Sequence, residues 1–249
     1  MKTVEKIYGE NKNRVLQKED RRSRKPISLT HAIRKRSEQG ELAVISEFKR
    51  RSPSGFINNS GLEVEDYVKK VISLGTDAIS ILTEPDYFGG SYEDIIRVNA
   101  IPVPILMKDF VSTEDMVQSG YNSGADAVLL IADFLPVDTL TKLTGAISGL
   151  GMESLVEFHS ISSLDKIDRV INDKSVLIGY NRRDLNSLKM EKGCKYIPDA
   201  ARTYPCILES GIGPETMRDL PLGSFDGVLI GESILNGLIT PKSLRKVNA

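Results

Sequence analysis

Cysteine and histidine are scarce in this chain, with two of each in 249 residues. Cys194 and Cys206 form no Cys-x-x-Cys pair, and His31 and His159 form no cluster, so neither a zinc site nor a disulfide framework is indicated. The two thiols are expected to stay reduced. Long apolar runs are missing as well: none approaches the roughly 18 residues of a membrane span. Met1-Lys2-Thr3-Val4-Glu5-Lys6 lacks the apolar segment of a signal peptide, so a cytoplasmic protein away from membranes is expected. Neither sign of charge dominates. Lys plus Arg at 33 nearly cancels Asp plus Glu at 34, which gives no argument for nucleic acid or an anionic membrane. Any anion binding has to come from local arrangement.

What the chain does contain is a repeat. From about residue 42, short runs of Val, Ile and Leu recur roughly every 22 to 35 residues, each followed by a polar or charged group, a loop and a helical stretch. The runs are Leu42 to Ile45, Ala78 to Leu82, Pro104 to Met107, Ala127 to Ile131, Ser154 to Val156, Val176 to Ile178, Cys206 to Leu208 and Gly227 to Ile230. Helices are expected over Glu63 to Leu74, Glu114 to Ser123, Leu135 to Gly149, Ser162 to Asn172 and Pro214 to Leu220, several of them stopping at Gly75, Gly124 and Gly151. Eight near-continuous apolar strands alternating with helices predict a parallel sheet closed into a single (β/α)8 TIM barrel over residues 41–249. An open doubly wound sheet is disfavoured, because Ser-Pro-Ser-Gly follows the first strand where a dinucleotide fold carries Gly-x-Gly-x-x-Gly. Residues 1–40 read as an N-terminal helical extension, with Val4, Ile7, Tyr8, Val15, Leu16, Ile27, Leu29 and Ile33 as sparse helical faces. Pro26 divides it, and Ser28 or Thr30 is placed to cap the second helix.

In such a barrel the active groups sit where strands end. Glu47 and Lys49 lie two apart and share a face just after Val44-Ile45, and Pro53 and Gly55 then turn the chain so that Ser52 and Ser54 face an anionic ligand. The bland reading of this stretch is a solvated basic knuckle, Lys49-Arg50-Arg51, with Glu47 as its salt-bridge partner. The other strand ends weigh against it. They supply Thr83 and Glu84, Lys108 and Asp109, Asp133, Glu157 and His159, Asn181 and Arg183, Glu209 and Ser210, and Gly231. Lys108 and Glu157 interrupt apolar segments at equivalent positions. They are readable as a structural ion pair or, given the crowd of partners, as a proton donor and a proton acceptor. A lysine whose pKa is lowered by crowding is expected to be the donor. Gly211 and Gly231, after the seventh and eighth strands, leave backbone N–H groups open to a phosphate. Neither histidine is assigned a catalytic role.

Taken together, Glu47-Phe48-Lys49-Arg50-Arg51-Ser52-Pro53-Ser54, Ser80-Ile81-Leu82-Thr83-Glu84 with Phe88-Gly89-Gly90-Ser91-Tyr92, Leu106-Met107-Lys108-Asp109-Phe110, Leu155-Val156-Glu157, Asn181-Arg182-Arg183-Asp184-Leu185, Glu209-Ser210-Gly211-Ile212 and Leu229-Ile230-Gly231 resemble the indole-3-glycerol phosphate synthase family from about Pro26 onward. The resemblance implies a barrel with a helical extension that closes 1-(2-carboxyphenylamino)-1-deoxyribulose 5-phosphate to indole-3-glycerol phosphate, with loss of carbon dioxide and water. It implies a phosphorylated small-molecule substrate and no metal or organic cofactor. A monomer is expected. Carried over by position, Lys108 resembles the general acid, Glu157 its partner in later proton transfers, and Glu47 and Lys49 groups that assist dehydration and contact the substrate. Asn181, Arg183, Glu209 and Ser210 match groups that orient the substrate, and Ser52, Gly211 and Gly231 the phosphate grip. Phe88, Phe110 and Leu129 match an apolar wall around the aromatic ring. Tyr180 and Arg182 depart from the family pattern and are expected to alter the pocket near the sixth strand. Glu232 also departs, placing a carboxylate beside the phosphate loop, where it weakens phosphate binding if it turns inward.

A phosphoribosylanthranilate isomerase resembles a barrel with Cys at the first strand and Asp at the sixth, where this chain has Glu47 or Lys49 and Asn181. An aldolase would use Lys108 as a Schiff base. A non-catalytic sugar-phosphate-binding barrel would need neither Lys108 nor Glu157.

Overall fold

The structure is a computed structural model that describes residues 3–11, 14–170 and 175–245. Its parallel strands close in chain order: β1 Ala43–Phe48, β2 Ala78–Leu82, β3 Ile105–Lys108, β4 Ala127–Ile131, β5 Glu153–Phe158, β6 Val176–Asn181, β7 Cys206–Glu209 and β8 Gly227–Ile230, with β8 paired back onto β1. Each apolar run read from the sequence is one of these strands. The helices are α1 Thr3–Glu10, α2 Leu29–Ser37, α3 Val64–Ser73, α4 Pro85–Phe88, α5 Tyr92–Ile96, α6 Glu114–Ser123, α7 Val137–Gly149, α8 Leu164–Val170, α9 Glu232–Leu235 and α10 Pro241–Leu244.

Both faces of the strands are buried, which is why the runs are apolar without alternation. Inward Ile45, Leu106, Leu129, Leu155, Leu177, Ile207 and Leu229 fill the barrel, while outward Val44, Ile79, Met107, Val128, Val156, Ile178 and Val228 pack beneath the helices. Helix ends follow local chemistry. Thr113 caps α6 by accepting from Met116 N, and Gly124, at φ 105, stops it in the left-handed conformation that costs glycine least.

The extension brackets the barrel. Ser28 caps α2, as the sequence suggested. This helix lies under the strand starts, where Arg36 meets Asp77 at 2.6 Å, Thr30 N donates to Glu153 at 2.7 Å and Ser37 donates to Asp226 at 2.8 Å. Burial of Leu29 and Ile33 there contributes about 2 kcal/mol each. At the opposite end, Val4 and Ile7 of α1 are buried over the strand ends.

Between these helices the chain departs from the expected helical face. Residues 14–27 form an extended strap whose backbone finds its partners on the barrel helices instead of in itself. Arg21 N donates to Asn122 O at 2.7 Å, Asn122 Nδ2 donates to Gln17 and Lys18 carbonyls, and Arg24 grips Asp126 with two bonds of 2.7 and 2.8 Å. Val15, read as part of an apolar face, is 90% exposed. The stretch Pro214 to Leu220 holds only a 3-10 turn at Met217–Asp219, because Thr216 Oγ1 bonds to the Gly211 and Gly213 carbonyls and diverts the backbone into a turn. The expected helix from Ser162 starts as a 3-10 turn, Ile161–Ser163, and continues as α8, and its predicted last residues, 171–172, lie outside the described residues.

Candidate active site

The pleat decides which side chains meet. On five strands, a polar residue sits two positions beyond an inward-facing one: Glu47 after Ile45, Lys108 after Leu106, Glu157 after Leu155, Asn181 after Gly179 and Glu209 after Ile207. With a period of two, all five turn into the C-terminal mouth of the barrel. One cavity opens there, with Glu47, Lys49, Lys108, Glu157 and Asn181 in its lining. Glu209 lies beneath it and reaches the cavity through Lys108.

Lys108 is the hub. Its Nζ donates to Glu209 Oε2 at 2.8 Å and stands 3.4 Å from Glu47 Oε2 and 3.8 Å from Glu157 Oε2. Glu47 also meets Lys49 at 3.0 Å, so the ion pair of the bland reading exists, but it is buried inside the cavity. The rest of the basic knuckle turns elsewhere, with Arg50 bound twice to Asp94 at 2.6 and 2.8 Å. Asn181 Nδ2 donates to Glu157 Oε1 at 2.9 Å, and its Oδ1 accepts from Arg183 N at 2.9 Å.

These contacts set the protonation states. Burial works against the charge on Lys108, but Glu209, Glu47 and Glu157 outweigh it and raise the pKa. This corrects the expectation of a lowered lysine pKa: the crowd around the ammonium is made of carboxylates. Burial would raise Glu47, yet Lys49 and Lys108 hold it down at about 2. Glu157 goes the other way. Burial and the neighbouring Glu209 push it up to about 8, against the pull of Lys108 and Asn181.

The cavity has a polar end and an apolar end. At the first, Ser52 and Ser54 hydroxyls lie 2.8 Å apart, and Ser210 and Gly211 turn the chain through consecutive left-handed conformations at φ 71 and φ 66. A non-glycine residue in that region is strained, a feature that clusters at functional sites. Ser233 Oγ donates to Ile212 O at 2.7 Å and ties the loops after β7 and β8 together. Gly231 leaves room for a neighbour, since a Cβ there would stand 2.6 Å from Glu47 Oε1. At the apolar end, Phe88, Phe110 and Leu129 line the wall, with Phe88 and Phe110 ring centroids 6.0 Å apart. Val4 and Ile7 of α1 close over them, a contribution that sparse spacing in a charged segment did not single out.

Several rim groups do structural work. Glu84 accepts from Asp86, Tyr87 and Phe88 N–H groups and so sets Phe88. Asp109 is held by Arg14 at 2.6 Å and by Thr83 Oγ1. Asp133 accepts from the backbone of His159 and Ser160. His159 Nδ1 donates to the Asn181 carbonyl at 2.8 Å. Tyr180 points outward among Phe158 and Tyr196, and Arg182 is buried against carbonyls of Gly193, Glu191 and Gly211. The pocket near β6 is therefore not altered by Tyr180 or Arg182 directly. Glu232 turns inward, with Oε1 3.2 Å from Lys49 Nζ. Among the described residues, no group of three His, Cys, Asp or Glu is arranged to hold a metal ion, and no helix is long and apolar enough to cross a membrane.

Comparison with known proteins agrees with this geometry. The family model described as indole-3-glycerol phosphate synthase matches residues 1–247. A curated indole-3-glycerol phosphate synthase of Picrophilus torridus is 41% identical over 235 residues, covering 94% of this chain and 92% of that protein. That of Thermoplasma volcanium is 41% identical over 229 residues, covering 92% of each. Among solved structures, 3-hexulose-6-phosphate synthase from Salmonella typhimurium matches 83% of this chain and 96% of its own with a TM-score of 0.57 at 13% identity. The 3-keto-L-gulonate-6-phosphate decarboxylase from Vibrio cholerae matches 84% and 97% with a TM-score of 0.56 at 14% identity. These two likenesses speak for the barrel alone.

Proposed function

The chain belongs to the indole-3-glycerol phosphate synthase family, and from that premise we propose how its cavity divides the work. The enzyme is a carboxy-lyase of tryptophan biosynthesis. It closes 1-(2-carboxyphenylamino)-1-deoxyribulose 5-phosphate to indole-3-glycerol phosphate. The observation that carries our assignment of roles is one ammonium, Lys108, set within 3.8 Å of three carboxylates from three other strands.

The substrate's aromatic ring lies against Phe88, Phe110 and Leu129, and its phosphate lies at the Ser52, Gly211 and Gly231 end of the same cavity, where Lys49 faces it beside Glu232. Arg183, Ser210 and Asn181 orient the chain between. Ring closure forms a bond from the carboxylate-bearing aromatic carbon to the ribulose carbonyl carbon, and the carbonyl oxygen takes a proton from Lys108. An alkoxide is a strong base, so an ammonium with a raised pKa still delivers its proton, and the carboxylates around Lys108 keep it charged beforehand. Carbon dioxide then leaves, and its bonding pair flows into the ring iminium. Finally the new hydroxyl departs as water while Glu157 takes the proton from the carbon next to nitrogen. Glu47 and Lys49 assist that departure, and Glu209 holds Lys108 in place.

The test is conversion of 1-(2-carboxyphenylamino)-1-deoxyribulose 5-phosphate followed by indole fluorescence. Growth of indole emission is expected, and its absence with folded protein would refute the reading.

A further inference from the structure

We propose that Glu232 competes with the substrate's phosphate for Lys49, acting as a tethered anion that sets how tightly phosphorylated ligands bind. The inference rests on the placement of the phosphate given above. Lys49, with only 11% of its side chain exposed, is held between two carboxylates, Glu47 at 3.0 Å and Glu232 at 3.2 Å. They differ in freedom. Glu47 is buried and shared with Lys108, whereas among the described residues Glu232 pairs with Lys49 alone, and it keeps 39% of its side chain in solvent. Glu232 is therefore the partner that can leave.

The charge balance of the cavity says why it should. With a proton on Glu157, the carboxylates of Glu47, Glu209 and Glu232 already balance the three cations, Lys49, Lys108 and Arg183. The substrate brings a carboxylate and a phosphate into this balanced set, which has no cation to spare. Each added anion meets like charge at short range in a partly desolvated site, where such repulsion is worth far more than in water. Glu232 is also the first residue of α9, flanked by Gly231 and by Ser233, whose hydroxyl is tied to Ile212. A phosphate arriving there faces the Glu232 carboxylate and takes its place on Lys49 only when Glu232 swings to water. The same competition helps the phosphorylated product depart.

Calorimetric titration of the full-length protein with inorganic phosphate and with indole-3-glycerol phosphate tests this. Glu232→Gln is expected to tighten both by about tenfold, the effect of removing one like charge at a half-exposed position. Dephosphorylated indole-3-glycerol should bind both proteins equally. In a Lys49→Met background the gain should fall to less than half, since the contested cation is gone. Unchanged or weaker phosphate binding in a folded Glu232→Gln protein would overturn the proposal, as would an equal gain for the dephosphorylated compound or an undiminished gain without Lys49. Phosphate titration needs no turnover, so failure of the proposed chemistry would show separately, as absence of indole product from the wild-type enzyme.

Discussion

Gly179 and Glu209 occupy one space: a Cβ on Gly179 would stand 2.2 Å from Glu209 Oε1. The bare strand position on β6 is what lets the β7 carboxylate lean inward and hold Lys108 at 2.8 Å. Gly179→Ala should displace that carboxylate and loosen the hub. Because the clashing atom is the tip of a side chain, we expect a stability loss of only about 1 kcal/mol. Turnover should drop by about tenfold or more, since a proton donor displaced by an ångström loses much of its effect. Paired thermal unfolding and kcat measurements check it, and a variant with unchanged kcat would contradict it.

Arg14 reaches from the strap to a buried acid beside the hub. Asp109 has no exposed side-chain surface, and Arg14 Nη1 lies 2.6 Å from its Oδ1. Arg14→Ala leaves that charge unpaired and should cost about 3–5 kcal/mol in denaturant unfolding. Asp109 directly follows Lys108, so kcat should fall as well.

Glu157 makes the reaction depend on pH. Acting as a base, it has to be ionised, and in the free enzyme its pKa stands at about 8. The ratio kcat/KM should therefore rise as pH climbs towards 8 and level off above it. Burial is the larger cause of the shift and Glu209 the next. Glu209→Gln removes the second cause, so the rising limb should move to lower pH. A profile that is flat from pH 6 to 9 would contradict the assignment.

The same shift predicts a stability cost. The folded state keeps a proton on Glu157 that the unfolded chain releases above about 4.5, so stability is full below that pH and falls as pH rises through about 8. Glu47 has the opposite sign: its contribution is present above about 4.5 and is lost as pH falls towards 2. Glu157→Gln should remove the alkaline decline and be more stable than wild type at pH 8, by about 1–3 kcal/mol. Denaturant unfolding at pH 5 and pH 8 measures it.

Much of this arrangement was legible because a barrel strand has a period of two. Once Leu106 faces inward, Lys108 must also, and the same counting carries Glu47, Glu157, Asn181 and Glu209 to one mouth. That counting also settles Tyr180, which precedes inward Asn181 and so faces outward; its departure from the family pattern suggested an altered pocket only while its parity was ignored. What the sequence hid depends on distant partners. Nothing local says that Asp109 and Glu84 spend their charges on Arg14 and on helix α4, or that residues 14–27 take their hydrogen bonds from Asn99 and Asn122. The direction of the Lys108 shift was missed for the same reason, because it turns on which charges three other strands deliver.

The most direct measurement is single-turnover conversion of 1-(2-carboxyphenylamino)-1-deoxyribulose 5-phosphate by Lys108→Met and Glu157→Gln, read beside their affinity for indole-3-glycerol phosphate. The geometry predicts that each variant folds, binds the product and loses turnover by at least about a hundredfold. Near-normal turnover in both variants would contradict it.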